Sequence, residues 1–288
     1  MKIIAKETQT SHLFNYIIST VTPRPIALVS TVDSKGNVNL SPFSFFNAFS
    51  MDPPILIFSP SRRVRDNTTK HTLQNVLEHP ECVIHLVNHK IVEQMSLSST
   101  EYDKGVNEFI KAGFTPIACD QVLPPRIQEA PVAFECKVNE VKSLGDRGGA
   151  GNLVICEVIA IHIDDAILDE NQNVDTLQLD IVSRLGGNWY SRTVPEALFE
   201  IPKPIHSKGI GIDQLPESIR NSKVLSGNDL ARLGNVSQLP SKESVLADTN
   251  LQFSKDVSQV HQQAKRLLQS NETNAALRLL LYNEYYKD

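Results

Sequence analysis

The chain has 288 residues, of which 41% are hydrophobic and 21% are charged, as is usual for a globular protein with one large domain or one domain and an extension. Its net charge of −5 and isoelectric point near 5.9 argue against a surface built to bind nucleic acid. No apolar run approaches the roughly 20 residues that span a bilayer. The N-terminal apolar stretch is too short and too charged for a signal peptide, so a cytoplasmic location is expected.

The first predicted strands lie in residues 26–42. Residues 26–32 form an apolar, β-branched run of strand length, and residues 33–36 are typical of a hairpin turn in which Gly36 takes a positive φ. The returning strand is expected to end at Pro42, because proline has no N–H to donate to a sheet. The serine- and phenylalanine-rich loop around it, residues 41–47, leaves backbone groups and short polar side chains available to a flat, polar ligand.

The middle of the chain predicts further short strands with a few helices between them. Strands are expected at 55–58, 82–87, 132–141 and 153–163, the last two joined by a turn over 145–151. Helices are expected from Thr72, as the capping residue, to Glu78, then at 92–98, and at 106–112 with Gly113 as the C-terminal cap. Strands that pair with sequence neighbours, without regular alternation with helices, indicate an antiparallel barrel.

After Thr193 the pattern changes. Three prolines, at 195, 202 and 204, indicate a linker or a wrapping arm, and apolar residues then recur at helical spacing from residue 256 onward. The stripe expected to be hidden consists of Val257, Val260, Ala264 and Leu267. The predicted division is residues 1–193 as a β domain and residues 194–288 as a linker and helical extension. Because short helices are marginal alone in water, the extension is expected to pack on the barrel or on a partner subunit.

No motif for a dinucleotide fold, a P-loop, a nucleophile elbow or a zinc-binding helix occurs, and the glycines of residues 148–151 precede a strand, as in a hairpin turn. The four cysteines, Cys82, Cys119, Cys136 and Cys156, lack metal-ligand spacing and are expected to be buried thiols. No set of side chains suggests general acid–base catalysis, so no catalytic residue is predicted. Such a pattern is consistent with a cofactor that carries the chemistry.

Several segments, in their order along the chain, carry a family resemblance: residues 22–47, 52–59, 70–75, 81–87, 153–158 and 184–190. Over about residues 10–193 the chain resembles the flavin reductase-like family, whose domain is the FMN-binding split β-barrel. The resemblance implies a mainly β fold, a split β-barrel of Greek-key type with peripheral helices, here followed by a C-terminal helical extension. It also implies a homodimeric flavoprotein that binds FMN, or alternatively FAD, and takes hydride from NADH or NADPH. A partner oxygenase or redox protein would then be the onward acceptor.

The family's phosphate-binding segment is matched by Lys70, Thr72 and Asn75, with His71 in place of an aspartate. A lysine, a hydroxyl and free amides at a helix start suit a phosphate. The basic run from Arg62, just after Ser59, is typical either of a solvated loop or of an anion-binding loop. By the same resemblance, candidates near the flavin ring and ribityl chain are Arg24, Ser30, Thr31, Ser41, Ser44, Asn47 and Trp189.

Two other functions fit the same resemblance: a flavoredoxin-like electron carrier, or a non-catalytic flavin-binding module. Many reductases of the family have a histidine where this chain has Asn152, which weakens the assignment of a pyridine-nucleotide site. Nothing in the sequence chooses NADH over NADPH. His85 and His162 lie in predicted strands and are expected to be core or interface histidines.

Overall fold

The computed structural model describes residues 1–201 and 208–286. The chain divides into two compact units, Met1–Leu198 and Phe199–Asp288, so this division falls five residues after the predicted one. Pro202 and Pro204 of the predicted linker lie outside the described residues. No helix within the described part is both long and apolar enough to cross a membrane.

The first unit is built around one antiparallel sheet. In chain order its strands are β1 (Ala27–Val32), β2 (Val38–Phe43), β3 (Phe46–Met51), β4 (Pro54–Phe58), β5 (Glu81–Leu86), β6 (Pro116–Ile117), β7 (Arg126–Ile127), β8 (Val132–Ser143), β9 (Asn152–Ile163), β10 (Val182–Arg184) and β11 (Tyr190–Arg192). The helices are α1 (Thr10–Thr20), α2 (His71–Glu78), α3 (Val92–Ser98), α4 (Glu108–Ala112) and α5 (Thr176–Leu179). Seven strands form the main sheet in the order β2-β1-β5-β8-β9-β4-β3, and β10 with β11 and β6 with β7 form two-stranded sheets.

The main sheet has to curl into a barrel because of one short connection. β2 and β3 lie at its opposite edges, yet only Ser44 and Phe45 separate them in the chain. The three Cα–Cα steps from Phe43 to Phe46 span at most about 11 Å, so the two edges must approach each other. Bulges between Glu135 and Cys136 and after Val138 bend the long β8–β9 pair in the middle of the sheet. The edges of β2 and β3 do not pair, which leaves the barrel split between them.

The two faces of the sheet have separate apolar cores. The barrel interior is filled mainly by Ala27, Val29, Phe43, Leu56, Phe58, Cys82, Ile84, Cys136, Val154 and Cys156, and α2 adds Leu73 and Val76. On the other face, Ile26, Leu28 and Leu40 pack against α3 and α4. β1 is therefore buried on both faces, which explains its mainly apolar sequence, and its two hydroxyl residues, Ser30 and Thr31, are buried as well.

Most predicted elements are found, with small differences at their ends. Gly36 has a φ of 81°, as the hairpin turn requires, and Gly113 caps α4 in the left-handed region at 69°. β2 continues one residue beyond Pro42, which is tolerated because β2 is an edge strand. Thr72 was predicted to cap α2, but Lys70 occupies the capping position and Thr72 is the helix's second residue.

The second unit is helical and has a core of its own. Its helices are α6 (Glu217–Arg220), α7 (Gly227–Gly234), α8 (Lys242–Leu246), α9 (Val257–Gln269) and α10 (Thr273–Tyr285). The core includes Leu215, Ile219, Leu225, Leu233, Val245, Val260, Ala264, Leu268, Leu277 and Leu281. In the stripe predicted to be hidden, Val260 and Ala264 are buried and Leu267 packs against them, within this unit. Docking on the barrel or on a partner subunit stays a prediction.

Candidate functional site

Residues 59–70 join β4 to α2 and carry more cations than carboxylates. Their charged members are Arg62, Arg63, Arg65, Asp66 and Lys70. Arg63 donates from Nε to Oε1 of Glu101 at 3.1 Å and from Nη1 to the backbone oxygen of Thr69 at 2.8 Å. Arg65 pairs with Glu101 as well. These contacts fold the segment back toward the start of α2.

Two cations of this segment make no ion pair within the described part of the chain. The Arg62 guanidinium donates only to Asn67, at 2.7 Å to Oδ1 and 2.8 Å to the backbone oxygen. The Nζ of Lys70 stands 5.1 Å from the centre of the Phe43 ring at the rim of the barrel interior. Burial, and then the charge of Arg63, lower the pKa of Lys70. The Glu101 carboxylate opposes this shift only in part, and it pairs with Arg63 and Arg65 and not with Lys70. A partly buried cation without an ion pair of its own favours an incoming anion.

The start of α2 adds backbone donors beside Lys70. The capping residue, Lys70, has an extended backbone, and no side-chain oxygen accepts a hydrogen bond from the first turn. The first amides of an α-helix have no partner inside the helix, and the helix dipole gives them partial positive charge. An uncapped helix start next to an ammonium group is a suitable phosphate-binding arrangement.

The glycine-rich turn between β8 and β9 packs against the backbone of the cationic segment and hydrogen-bonds to it. Gly149 donates to the Arg62 oxygen at 2.9 Å, and the Arg62 N–H donates to Ala150 at 2.8 Å. A Cβ at Gly148 would lie 2.9 Å from the carbonyl oxygen of Val64. The turn can pack this closely against Val64 only because residue 148 has no side chain. The antiparallel pairing of β8 with β9 confirms the predicted hairpin turn.

The loop after β2 adjoins the same segment. The Phe45 oxygen accepts a hydrogen bond from the Ser59 N–H at 2.8 Å, which places the loop against the first residue of the cationic segment. Asn47 is exposed, and its Oδ1 accepts from the backbone of Ala48 at 2.8 Å. Ser41 is half-buried on the edge strand β2. Short polar side chains and aromatic rings thus border the positive charge.

Arg24 holds this loop in place from the other side. It is only 7% exposed, and its Nε donates to Ser44 Oγ at 3.4 Å. Its other nitrogens donate to backbone oxygens of Val21 at 2.6 Å, of Leu185 at 3.0 Å, and of Ile18. With its donors used in this way, Arg24 ties the end of α1, the serine loop and the segment before β11 together, and positions the loop for a ligand.

The family model for the flavin reductase like domain matches residues 19–178, more than half of the chain. The chain belongs to the flavin reductase-like family. An uncharacterized protein of Aquifex aeolicus is 39% identical over 201 residues, which cover 70% of this chain and all of that protein. Nitrilotriacetate monooxygenase component B from Bacillus cereus has a similar structure, with a TM-score of 0.65 and 25% identity over 70% of this chain and 98% of that one. A Shewanella frigidimarina protein assigned as a flavin reductase with a split barrel domain matches with a TM-score of 0.59 and 25% identity, over 70% of this chain and 99% of its own.

These relationships confirm the predicted fold, a split barrel of the flavin reductase-like family with peripheral and C-terminal helices, and they support a flavin-related redox function. They do not test individual site residues, so the flavin contacts stay predictions. The Phe45–Ser59 hydrogen bond and the approach of Lys70 to Phe43 bring three parts of the chain together: the end of β2 with its loop, the cationic segment and the start of α2. The predicted residues on these parts are Ser41, Ser44, Asn47, Ser59, Arg62 and Lys70. The other predicted residues are placed differently.

Ser30 and Thr31 lie on opposite faces of β1, since successive strand residues alternate. Ser30 is fully buried and donates from Oγ to the Pro125 oxygen at 2.6 Å on the outer face. Thr31 is also fully buried and accepts from Asn75 Nδ2 at 3.0 Å in the interior. Both hydroxyls therefore have partners within the fold, and only one of them faces the barrel interior.

Thr72 and Asn75 seat α2 on the barrel. Thr72 Oγ1 accepts from Asn39 Nδ2 at 2.9 Å, and Asn75 donates to Thr31. Thr72 and Asn75 are 1% and 3% exposed. In this arrangement their side chains fix the helix whose first residues adjoin Lys70.

Trp189 stands at the tip of the β10–β11 hairpin and is 76% exposed. Its backbone oxygen accepts from the Leu185 N–H at 3.0 Å, so the tip is anchored beside the residue that Arg24 holds. The neighbouring Tyr190 ring lies 4.6 Å from the guanidinium carbon of Arg184. Either stacking on a ligand or packing in an interface would cover the indole.

Three residues that shape the site were not predicted. Arg63 belongs to the basic run, but no sequence feature near it indicated that Arg63, and not Arg62, would donate to the backbone oxygen of Thr69 before α2. Glu101 reaches the segment from a distant loop, and Gly148 supports it through the β8–β9 turn. Asn152, at the family's histidine position, is buried and donates to the Pro60 oxygen at 3.0 Å. It too braces the segment.

Proposed function

We propose that this protein is an FMN-dependent oxidoreductase that transfers hydride from NADH or NADPH to flavin. The observation that carries the proposal is Lys70, a half-buried ammonium group with a lowered pKa and no ion pair in the described part of the chain, at the uncapped start of α2. The FMN phosphate is a dianion at neutral pH, and Lys70, Arg62 and the first amides of α2 would neutralise it. Family membership supports flavin as the ligand.

The ring would lie beside residues 44–47, which form the connection after β2 and the first two residues of β3. The backbone groups of this stretch, together with Ser44 and Asn47, would orient the polar edge of the isoalloxazine, and Arg24 would hold the loop rigid. When bound, the flavin supplies the redox chemistry by accepting a hydride from the nicotinamide and a proton from solvent, which gives the oxidised nucleotide and dihydroflavin. The protein then has to bind, orient and exclude water, so we expect no single catalytic acid or base.

A second copy of the chain is the partner that the barrel surface favours. Ile159, Ile161 and Ile163 alternate along one face of β9 and are 38%, 54% and 39% exposed, while Phe49 and Met51 on β3 are more exposed still. Large apolar side chains exposed in rows mark interaction surfaces. Homodimerisation would cover them.

The structural likeness to a monooxygenase component supports an oxygenase as the acceptor of reduced flavin.

The electron-carrier alternative has its own support in Asn152, which stands where a nicotinamide-side histidine is common in the family. Anaerobic addition of NADH, and separately NADPH, to the FMN-loaded protein distinguishes the two functions. We expect rapid bleaching of the flavin absorbance with at least one nucleotide. A protein that holds FMN but is bleached only by dithionite or by a reduced protein partner would instead be an electron carrier. A protein that holds no flavin at all would contradict both functions.

A further inference from the structure

A histidine and two carboxylates meet on the outer face of β8 and β9, away from the residues that border the proposed flavin site. Glu135 lies on β8 and His162 on β9, as diagonal neighbours, since His162 pairs with Ala133 in the sheet register. Asp120 belongs to the crossing segment, residues 118–125 between β6 and β7, and its backbone N–H donates to Glu135. One ligand-type atom from each of the three side chains lies within 4.8 Å of the others.

The Glu135 carboxylate is fixed before any ligand arrives. It is fully buried and accepts backbone hydrogen bonds from Asp120 at 3.1 Å and Gln121 at 2.6 Å. The Nε2 of His162 donates to its Oε1 at 2.5 Å. In metal sites, hydrogen bonds of this kind orient the side chains that ligate the metal and keep carboxylate ligands ionised. The single proton between imidazole and carboxylate occupies the position that a cation would take.

Asp120 completes the set from the solvent side. Its Oδ2 lies 4.0 Å from His162 Nε2, and its side chain is 77% exposed. Ligand atoms of one first-row divalent cation stand about 3 Å apart, given metal–ligand bonds of about 2.0–2.2 Å. Rotation of the exposed Asp120 closes this distance, and a slight opening of the Glu135–His162 pair admits the ion. Water can fill the outward positions.

We propose that Asp120, Glu135 and His162 bind a divalent transition-metal cation, for which Zn²⁺ is the first probe. Two carboxylates and one neutral imidazole carry two negative charges, which a divalent cation balances. An imidazole ligand favours zinc and its neighbours over magnesium or calcium, which prefer oxygen alone. The ion would join β8, β9 and the crossing segment, and would stabilise that segment on the sheet.

The chain contains a matched histidine–carboxylate pair for comparison. His79 Nε2 and Glu81 Oε2 lie 3.0 Å apart, and the same Glu81 oxygen accepts from the Leu123 backbone at 2.9 Å. Within the described residues this pair has no third ligand-type side chain close enough to join it. It reproduces the histidine–glutamate contact without the proposed site.

Calorimetric titration of the chelator-treated full chain with Zn²⁺ tests the proposal, with melting temperature as a second readout. We expect one saturable ion per chain and a higher melting temperature with zinc. His162→Gln should weaken binding at least about 100-fold and Asp120→Asn at least about tenfold, since even indirect partners of metal ligands contribute about 10–100-fold. His79→Gln should bind as the unaltered chain does.

Asp120→Asn protects the test against misfolding, because this exposed side chain leaves the Glu135–His162 contact intact. Absence of saturable Zn²⁺ binding to the unaltered chain would overturn the proposal. Binding that survives unchanged in folded His162→Gln and Asp120→Asn variants would place the ion elsewhere and overturn it as well. Flavin affinity, measured in parallel, is expected to stay the same in these variants, so failure of this site and failure of the flavin proposal are distinguishable.

Discussion

Lys70, at the barrel rim, is partly buried, lies near an aromatic ring and makes no ion pair with the residues that the structure describes. Burial and the charge of Arg63 lower its pKa, so the charged form is less favoured in the ligand-free protein than in a solvent-exposed lysine. A phosphate dianion would reverse this by stabilising the ammonium group. Ligand binding and protonation of Lys70 are therefore linked, and each should promote the other.

FMN affinity should consequently fall as the pH rises toward and through the pKa of Lys70. Loss of a charge-assisted contact of about 1.5 kcal/mol corresponds to roughly a tenfold weaker complex. Lys70→Arg keeps its charge throughout this range and should show a smaller alkaline decrease. Titrations of FMN between neutral and alkaline pH measure the effect in both proteins. An equal decrease in the arginine variant would show that another group, or the flavin itself, is responsible.

His85 carries a prediction about acid stability. It is fully buried, its Nδ1 lies 2.8 Å from the Leu28 oxygen, and its Nε2 accepts from Ile127 at 2.9 Å. Burial lowers the pKa of His85 from 6.5 to about 4. Between these values the unfolded chain binds the proton and the folded chain does not. The free energy of unfolding should therefore fall by up to about 3 kcal/mol from this group as the pH drops through that window.

Urea unfolding of the full chain at several pH values between 7 and 4 measures this contribution. His85→Gln should be less stable at pH 7, because it cannot match both hydrogen bonds, but should lose less stability on acidification. A variant with the same acid dependence as the unaltered chain would mean that other titratable groups account for the whole effect. Asp66 is not among them, because its pKa is lowered to about 2 and it titrates below this pH range.

At the scale of elements, the β8–β9 turn and the 59–70 segment behave as one unit. A Cβ at Gly148 would approach the carbonyl oxygens of Val64 and Arg63 to 2.9 and 3.0 Å. Gly148→Ala should therefore push the turn away from the cationic segment, with a loss of about 1–3 kcal/mol in stability and a weaker FMN complex. Gly227→Ala, where nothing lies within 4 Å of the added atom, is the matched control. Thermal melts and FMN titrations of both variants test this prediction. Equal stability and equal FMN affinity of the two variants would contradict a coupling between the β8–β9 turn and the cationic segment.

The same elements show what the sequence can and cannot predict. β1, α3, β9 and α9 follow from local apolar periodicity, and their bounds agree with the predictions within a residue or two. Partners that are distant in the chain carry no local signal. The hydroxyl of Thr72 fits a helix cap by sequence, yet in the structure it accepts a hydrogen bond from Asn39 on β2. The meeting of Asp120, Glu135 and His162 depends on strand register in the same way.

At the scale of the whole molecule, all predicted flavin residues lie within Met1–Leu198, and the Aquifex relative aligns over its whole length with 201 residues of this chain. We therefore expect a fragment of residues 1–198 to bind FMN about as tightly as the full chain does, since it retains every predicted flavin residue. The helices after residue 208 have their own core, so the fragment 199–288 should unfold cooperatively by circular dichroism.

Loss of FMN binding in the 1–198 fragment would contradict the assignment of FMN binding to the first unit alone. The predicted docking of the helical unit has a separate measurement, the melting temperature of the barrel with and without residues 199–288. A lower melting temperature in the shorter chain would support docking on the barrel or on a partner subunit. Equal values would favour a unit that serves some other partner.

The most direct test of the proposed flavin site compares FMN with riboflavin, which differs only by lacking the phosphate. We expect the unaltered chain to bind FMN at least about tenfold more tightly, as a charge-assisted phosphate contact contributes about 1.5–3 kcal/mol. Lys70→Ala should remove most of this preference. Lys111→Ala, in which a lysine 5.6 Å from the Tyr102 ring is lost instead, should retain it. Equal affinity of the unaltered chain for FMN and riboflavin would contradict a phosphate site at Lys70.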